Sequence, residues 1–248
     1  MTAAAPHRLP DGFVERGATV TRLEAFVDAA FAFAVTMLVI SLDAIPDSIG
    51  GMLSALKGVP AFAASFAQIM MFWFAHATWS RRFGLDDGPS SRLSLVLVFL
   101  VLVYVYPLKI LFGSFFAWIS GGWLPPVAEI RTLFDLQGMF VMYGIAFGTL
   151  SLCLAALNRQ ALRAAAISPP LDEHERARTR GEIVRWLFTA LVALGSMAFA
   201  MLLPASGPQW LFGMPGVFYA LMSLTGPVVE HFAPAGRRAP AARGDNAD

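Results

Sequence analysis

The residues able to do chemistry are few, and they gather where two apolar stretches meet their polar flanks. Arg22, Phe26 and Asp28 open the run RLEAFVDAAFAFAVTMLVISL at 22–42, while Trp73, His76 and Trp79 close another that ends in Arg81 and Arg82. A carboxylate beside hydrocarbon is costly unless it reaches the interface or a polar partner. Trp73 and His76 are three residues apart and so share a helix face, where an indole N–H and an imidazole together offer Asp28 a buried hydrogen-bonded network. The bland alternative is an interfacial belt, with Trp and Arg anchoring the bilayer edge and Asp28 snorkelling out. Arg22 is a weaker partner, because six residues before Asp28 on a straight helix it points well away; pairing needs a bend or a neighbouring chain. The other histidines, His7, His174 and His231, are scattered over a tail, a loop and a terminus, and Cys153 stands alone. Such a set gives no metal cluster and no converging nucleophile and base, so neither an enzyme nor a cofactor is expected.

The elements that must position these groups are membrane helices. Of 248 residues 57% are hydrophobic and only 14% charged, with a mean hydropathy of +0.62, which excludes an ordinary soluble domain. Apolar stretches at 27–46, 59–79, 93–113, 137–157, 185–203 and 209–227 predict an all-α polytopic protein of six transmembrane helices. Pro208, Pro215 and Pro227, with Gly213 and Gly216, predict that the sixth is kinked or short. Fifteen of the eighteen Lys and Arg residues fall on the N-terminal tail, the second and fourth loops and the C-terminal tail; Lys57, Lys109 and Arg131 fall opposite. The positive-inside rule then puts both termini in the cytoplasm of a multi-pass plasma (inner) membrane protein. Three parts follow: a polar cytoplasmic tail at 1–21, a transmembrane unit at 22–232, and a tail at 233–248 too poor in apolar residues to fold alone. The longest outer loop is expected at 114–136, and 168–184, with Asp172 and Arg176 at i,i+4 spacing, reads as a cytoplasmic extension of the fifth span. The net charge of +1 gives no reason to expect nucleic acid, and no internal repeat is visible.

The first span has two features of its own. Ala30 and Ala34 form a small-xxx-small pair that permits close helix contact. A second face carries Phe26, Ala29, Phe33, Thr36, Met37 and Ile40 at spacings of three and four, a continuous stripe. This stripe either faces lipid and neighbours or lines something, and periodicity alone leans to the former.

Arg22, Phe26 and Asp28 resemble the Arg-xxx-Phe-Ser-Asp signature of the transmembrane protein 175 potassium channels, in the bacterial form with one six-helix unit per subunit. Phe31, Ala32, Thr36 and Leu38 fit the family's first helix, Trp73 and His76 its second, and Tyr104 to Pro107 its third. The resemblance implies a homo-oligomer, four subunits around a pore lined by the first helix, that passes potassium ions, with protons as a second permeant, across the lipid bilayer without a cofactor. It implies that Phe33, Met37 and Ile40 form an apolar constriction, that Thr36 bears on ion selectivity, and that Arg22, Phe26, Asp28, Trp73 and His76 make a structural network. Two departures stand out: Val27 replaces the signature serine, and Phe33 replaces an isoleucine or leucine. No Thr-Val-Gly-Tyr-Gly loop is present, so selection by a ring of carbonyls is not available. A non-conducting membrane protein of the same fold is the alternative; a secondary transporter is less favoured, for want of a midplane acid or paired broken helices.

Overall fold

The computed structural model describes residues 7–40 and 47–233, the side chains of Ile40 and Gln209 excepted. All its regular elements are helices: α1 (Arg22–Ile40), α2 (Ile49–Leu56), α3 (Val59–Phe83), α4 (Gly88–Ile119), α5 (Leu133–Arg163), α6 (Glu173–Met201), α7 (Met214–Val217) and α8 (Thr225–Phe232). Tight 3-10 turns at Gln209–Gly213 and Phe218–Leu224 flank α7. Four helices, α3 to α6, and the broken run Trp210–Phe232 are long and apolar enough to cross a membrane. α1 counts 19 described residues, and the remainder of the expected first span, 41–46, lies outside the described residues, as does the C-terminal tail from 234. The short helix α2, with Ser48 as its N-cap, is an element that the hydropathy profile did not separate.

Helix boundaries follow local chemistry. Pro60 and Pro89 stand in the first turns of α3 and α4, where the missing N–H costs nothing. Thr132 with Asp135 and Asp172 with Glu175 form capping boxes that start α5 and α6, each stabilising its helix by about 1 kcal/mol. The second box begins α6 at Glu173, so the expected cytoplasmic extension is its first turns. α4 continues through Pro107 to Ile119, which shortens the expected outer loop from its front. The last span is not one helix, because three prolines remove donors that a continuous ladder would need. Ser196 of α6 donates to the Pro215 carbonyl at 2.8 Å and so satisfies one group of the interrupted backbone.

The core lies among α3, α4, α5 and α6, with α1 laid against α3 and α4. In lipid, helices associate by close packing and interhelical hydrogen bonds more than by hydrophobicity. The Trp79 indole donates to Leu157 O at 3.0 Å and Tyr143 Oη to Gln68 Oε1 at 2.8 Å, both joining α3 to α5. Gly144 lets α5 approach α6, since a Cβ there would stand 2.1 Å from Met197 Cγ.

The N-terminal segment, expected as a polar tail, is instead a packed strap across the arginine-rich end. Phe13 is fully buried, edge-on to Phe83 and beneath the Arg82 guanidinium. Glu175 accepts from Val14 N at 2.7 Å and from both terminal nitrogens of Arg16 at 3.0 and 2.8 Å. Asp11 pairs with Arg82 at 2.9 Å, and Glu15 with Arg81 at 2.9 Å. Glycine at 17 is required, because a Cβ there would lie 2.4 Å from Ser80 O.

Candidate functional site

α1 has two faces of opposite fate. Val27, Phe31, Ala34 and Leu38, spaced by four, three and four, are all buried against the core. Opposite them, Ala25, Phe26, Ala29, Ala32, Phe33, Thr36 and Val39 are exposed, and Phe33 keeps 56% of its surface. Four members of the predicted stripe, Phe26, Ala29, Phe33 and Thr36, therefore share an uncovered face. Met37 sits on its shoulder, half-buried against the core, and the Ile40 side chain lies outside the described residues. Sequence reasoning left out Ala25, Ala32 and Val39; the 27, 31, 34, 38 spacing would have assigned them to this face by subtraction.

Thr36 adds the single hydroxyl of that face. Its Oγ1 donates to Ala32 O at 2.9 Å, so the hydrogen is committed to the helix backbone while oxygen lone pairs remain outward.

Beneath the exposed face, α1 is fixed by a side-chain hydrogen bond: Trp73 Nε1 donates to Asp28 Oδ1 at 2.8 Å. His76 does not join them. Its Nε2 lies 3.0 Å from Ser94 Oγ of α4, and its Nδ1 has no hydrogen-bond partner among the described residues. Trp73 and His76 do share a face of α3, but the imidazole turns toward α4, where Ser94 is within reach of it. Arg22 is exposed and forms no hydrogen bond or ion pair with a described residue, Asp28 included, and Phe26 is half exposed. Val27, in place of the signature serine, is wholly buried, and its methyl groups pack where a hydroxyl would need a partner. Among the described residues no group of three His, Cys, Asp or Glu could hold a metal ion.

Residues 22–107 match the family model described as endosomal/lysosomal potassium channel TMEM175. A potassium channel of Marivirga tractuosa is 30% identical over 202 residues, which are 79% of this chain and 81% of that relative. The chain belongs to the TMEM175 potassium channel family. A crystal structure of a variant of the potassium channel MtTMEM175, in complex with a nanobody–MBP fusion protein, superposes with a TM-score of 0.74 at 27% identity, covering 91% of this chain and 97% of that one. As a TMEM175 family member the chain is a multi-pass membrane protein and not an enzyme. The stretch matched by the TMEM175 model begins at Arg22 and ends at Pro107; it holds the exposed face of α1, the Asp28–Trp73 bond and the His76–Ser94 contact. Within the match, the residues that face outward and those that anchor α1 inward are interleaved on one helix.

Proposed function

We propose that the chain is the subunit of a potassium channel in which four copies of α1 surround one pore, their exposed faces turned to the axis. The observation that carries this reading is the division of α1: an apolar helix seated on α3 and α4 by one face, with an equally apolar opposite face that its own subunit leaves uncovered. A ring of Phe33 side chains forms the tightest layer and holds the pore mostly closed, because stripping water from a cation costs far more than an apolar wall returns. Met37 and Ile40 extend that barrier, and Thr36 offers a hydroxyl beside it. Asp28 is structural, and Arg22 and Phe26 make their contacts with a neighbouring copy.

The same reading keeps the domain limits at 1–21, 22–232 and 233–248 and puts both termini in the cytoplasm, in the plasma (inner) membrane. Its support is that the strap, Arg81 and Arg82, and the start of α6 meet at one end through Asp11–Arg82, Arg16–Glu175 and Arg8–Asp172 pairs, which gathers the excess of arginine there.

Potassium flux into liposomes, with sodium and proton flux alongside, tests it. Phe33→Ala should raise potassium flux while the size of the detergent-extracted particle stays that of an oligomer. A strict monomer would end the proposal, since one α1 encloses no pore. Unchanged flux with an intact oligomer that conducts would mean that this face points at lipid.

A further inference from the structure

At the end opposite the strap, a cleft of about 830 Å³ opens between α3, α4, α5 and the broken segment that follows α6. Its origin is local: the prolines and the 3-10 turns leave that segment unable to lie flat on α5, and Gly213 and Gly216 present no side chains toward it. Met71, Phe115, Met139, Phe147, Tyr219 and Met222 are among the side chains of its wall. Arg131 and Thr132 stand at its mouth, where α5 begins.

The dimensions name the occupant. From Thr132 to Phe147 along α5, at 1.5 Å per residue, the cleft reaches about 22 Å. Half of a bilayer with its headgroups measures roughly 20–22 Å, so the cleft is one leaflet deep. Its volume lies within the roughly 300–1,000 Å³ of sites that bury a small molecule. The wall is predominantly apolar, with Gln68, Ser114, Tyr143 and Tyr219 as its few amide and hydroxyl groups, and methionine adapts to an irregular hydrocarbon surface. The mouth supplies a cation. Arg131 is 78% exposed at its side chain and is tied to Glu129, itself 68% exposed; such a pair is weak enough to exchange the carboxylate for another anion.

We propose that this cleft binds a phospholipid of the surrounding leaflet, one acyl chain lying between α4, α5 and the broken segment and its phosphate against Arg131. The lipid then serves as the packing partner that the interrupted last span cannot supply, and the inference does not depend on whether the pore conducts.

The test is photolabelling of the full-length protein in phosphatidylglycerol and phosphatidylcholine liposomes doped with a phospholipid that carries a diazirine near the end of one chain. A parallel arm uses a diazirine fatty acid whose carboxyl is methylated, so that it carries no charge. Adducts on Met71, Met139 or Met222 should exceed those on Leu202, which is 81% exposed on the outside of α6's end. Gly216→Phe should lower the cleft adducts about tenfold and leave the Leu202 adducts unchanged. That position admits a side chain, because a Cβ there meets only Phe140 Cε1 at 3.9 Å. Should that variant lose its oligomer, Ala67→Phe fills the cleft from α3. Arg131→Ala should reduce phospholipid labelling severalfold but leave fatty-acid labelling as it was. Cleft adducts no stronger than those on Leu202, or equally strong in both filled variants, would overturn the proposal; so would labelling by fatty acid alone, or cysteine cross-links between copies across the cleft.

Discussion

The two faces of α1 are nearly alike in composition and opposite in surroundings. Val27, Phe31, Ala34 and Leu38 on one side, and Phe26, Ala29, Phe33 and Val39 on the other, are equally greasy, yet only the first set is buried within the subunit. In a bilayer this cannot be a matter of hydrophobicity, since lipid is as apolar as leucine. Shape decides instead. Ala30 and Ala34 bring the backbone of α1 close to its neighbours, Phe31 fills the space they leave, and the Trp73–Asp28 bond sets the rotation of the helix. A helix of this kind can give one face to stability and the other to function without any polar code to separate them.

Exchanging single phenylalanines two positions apart breaks that contrast most sharply. Phe31→Ala removes a buried ring from the contact with α3 and α4 and should cost the subunit about 2–4 kcal/mol, the packing share of a core Phe deletion. Phe33→Ala should change subunit stability by less than about 0.5 kcal/mol, as exposed positions do, while raising potassium flux. Unfolding in mixed micelles, scored beside flux in liposomes, reads both. Equal destabilisation by the two changes would mean that Phe33 is packed, and the division of α1 would not hold.

The next effect in size is at the anchor. Trp73→Phe keeps the ring and removes the N–H, leaving Asp28 with no donor in an apolar setting. A hydrogen bond to a charged group contributes about 1.5–3 kcal/mol, so a loss of stability of that order is expected, read as a lowered Tm. Asp28→Ala should weaken assembly similarly, and the double variant should lose less than the sum. If Asp28→Ala instead altered ion preference alone in a stable oligomer, the carboxylate would belong to the pore and not to the inward face.

How far the sequence reaches is seen in these same residues. The exposed stripe was readable because helical periodicity survives in a helix without polarity contrast, and Asp28 needed a donor that Trp73 supplies. His76 was misdirected, since a shared face of α3 says nothing about which neighbour the ring turns to, and Ser94 answers it first. The strap was not readable at all. Leu9, Phe13 and Val14 sit among charges with no period, and the carboxylate that holds Val14 is 161 residues away. Asp172 and Arg176 at i,i+4 spacing gave a signal for the helical start of α6, but nothing in that spacing showed Glu175 to be both a capping-box residue and the strap's buried partner. The broken last span was flagged by its prolines; the cleft it leaves could not be, because its depth depends on how α4 and α5 stand beside it.

The strap provides a control that sharpens the comparison, for it contributes through charges and α1 through shape. Burial pushes the Asp11 carboxyl up, but the Phe13 amide and the Arg82 guanidinium outweigh it and hold the group below its ordinary value of 3.8. The Glu175 amide, ahead of Arg8, does the same for Asp172, and Arg81 for Glu15. Groups lowered in the folded state contribute stability above their ordinary range, near pH 4, and lose it as pH falls through the lowered values. Between pH 7 and 5, then, hydrogen-exchange protection in residues 7–20, corrected for the intrinsic pH dependence of amide exchange, should stay constant and fall only on further acidification, with α1 unchanged throughout. Loosening already at pH 6 would place the controlling group elsewhere.

The smallest change is at Thr36, and it asks whether the outward face has any chemistry of its own. The hydroxyl gives its proton to Ala32 O, which leaves only acceptor lone pairs on the outward face. In the proposed tetramer, four such oxygens near the axis would replace part of a cation's water without a carbonyl filter. Thr36→Val keeps the shape and removes the oxygen, so subunit stability should move by less than about 0.5 kcal/mol. The readout is the ratio of potassium to sodium flux, which should fall toward unity in Thr36→Val and be retained in Thr36→Ser, whose hydroxyl can make the same backbone bond. A ratio unaffected by Thr36→Val would leave the stripe purely apolar, and any preference between ions would then come from the width of the Phe33 ring alone.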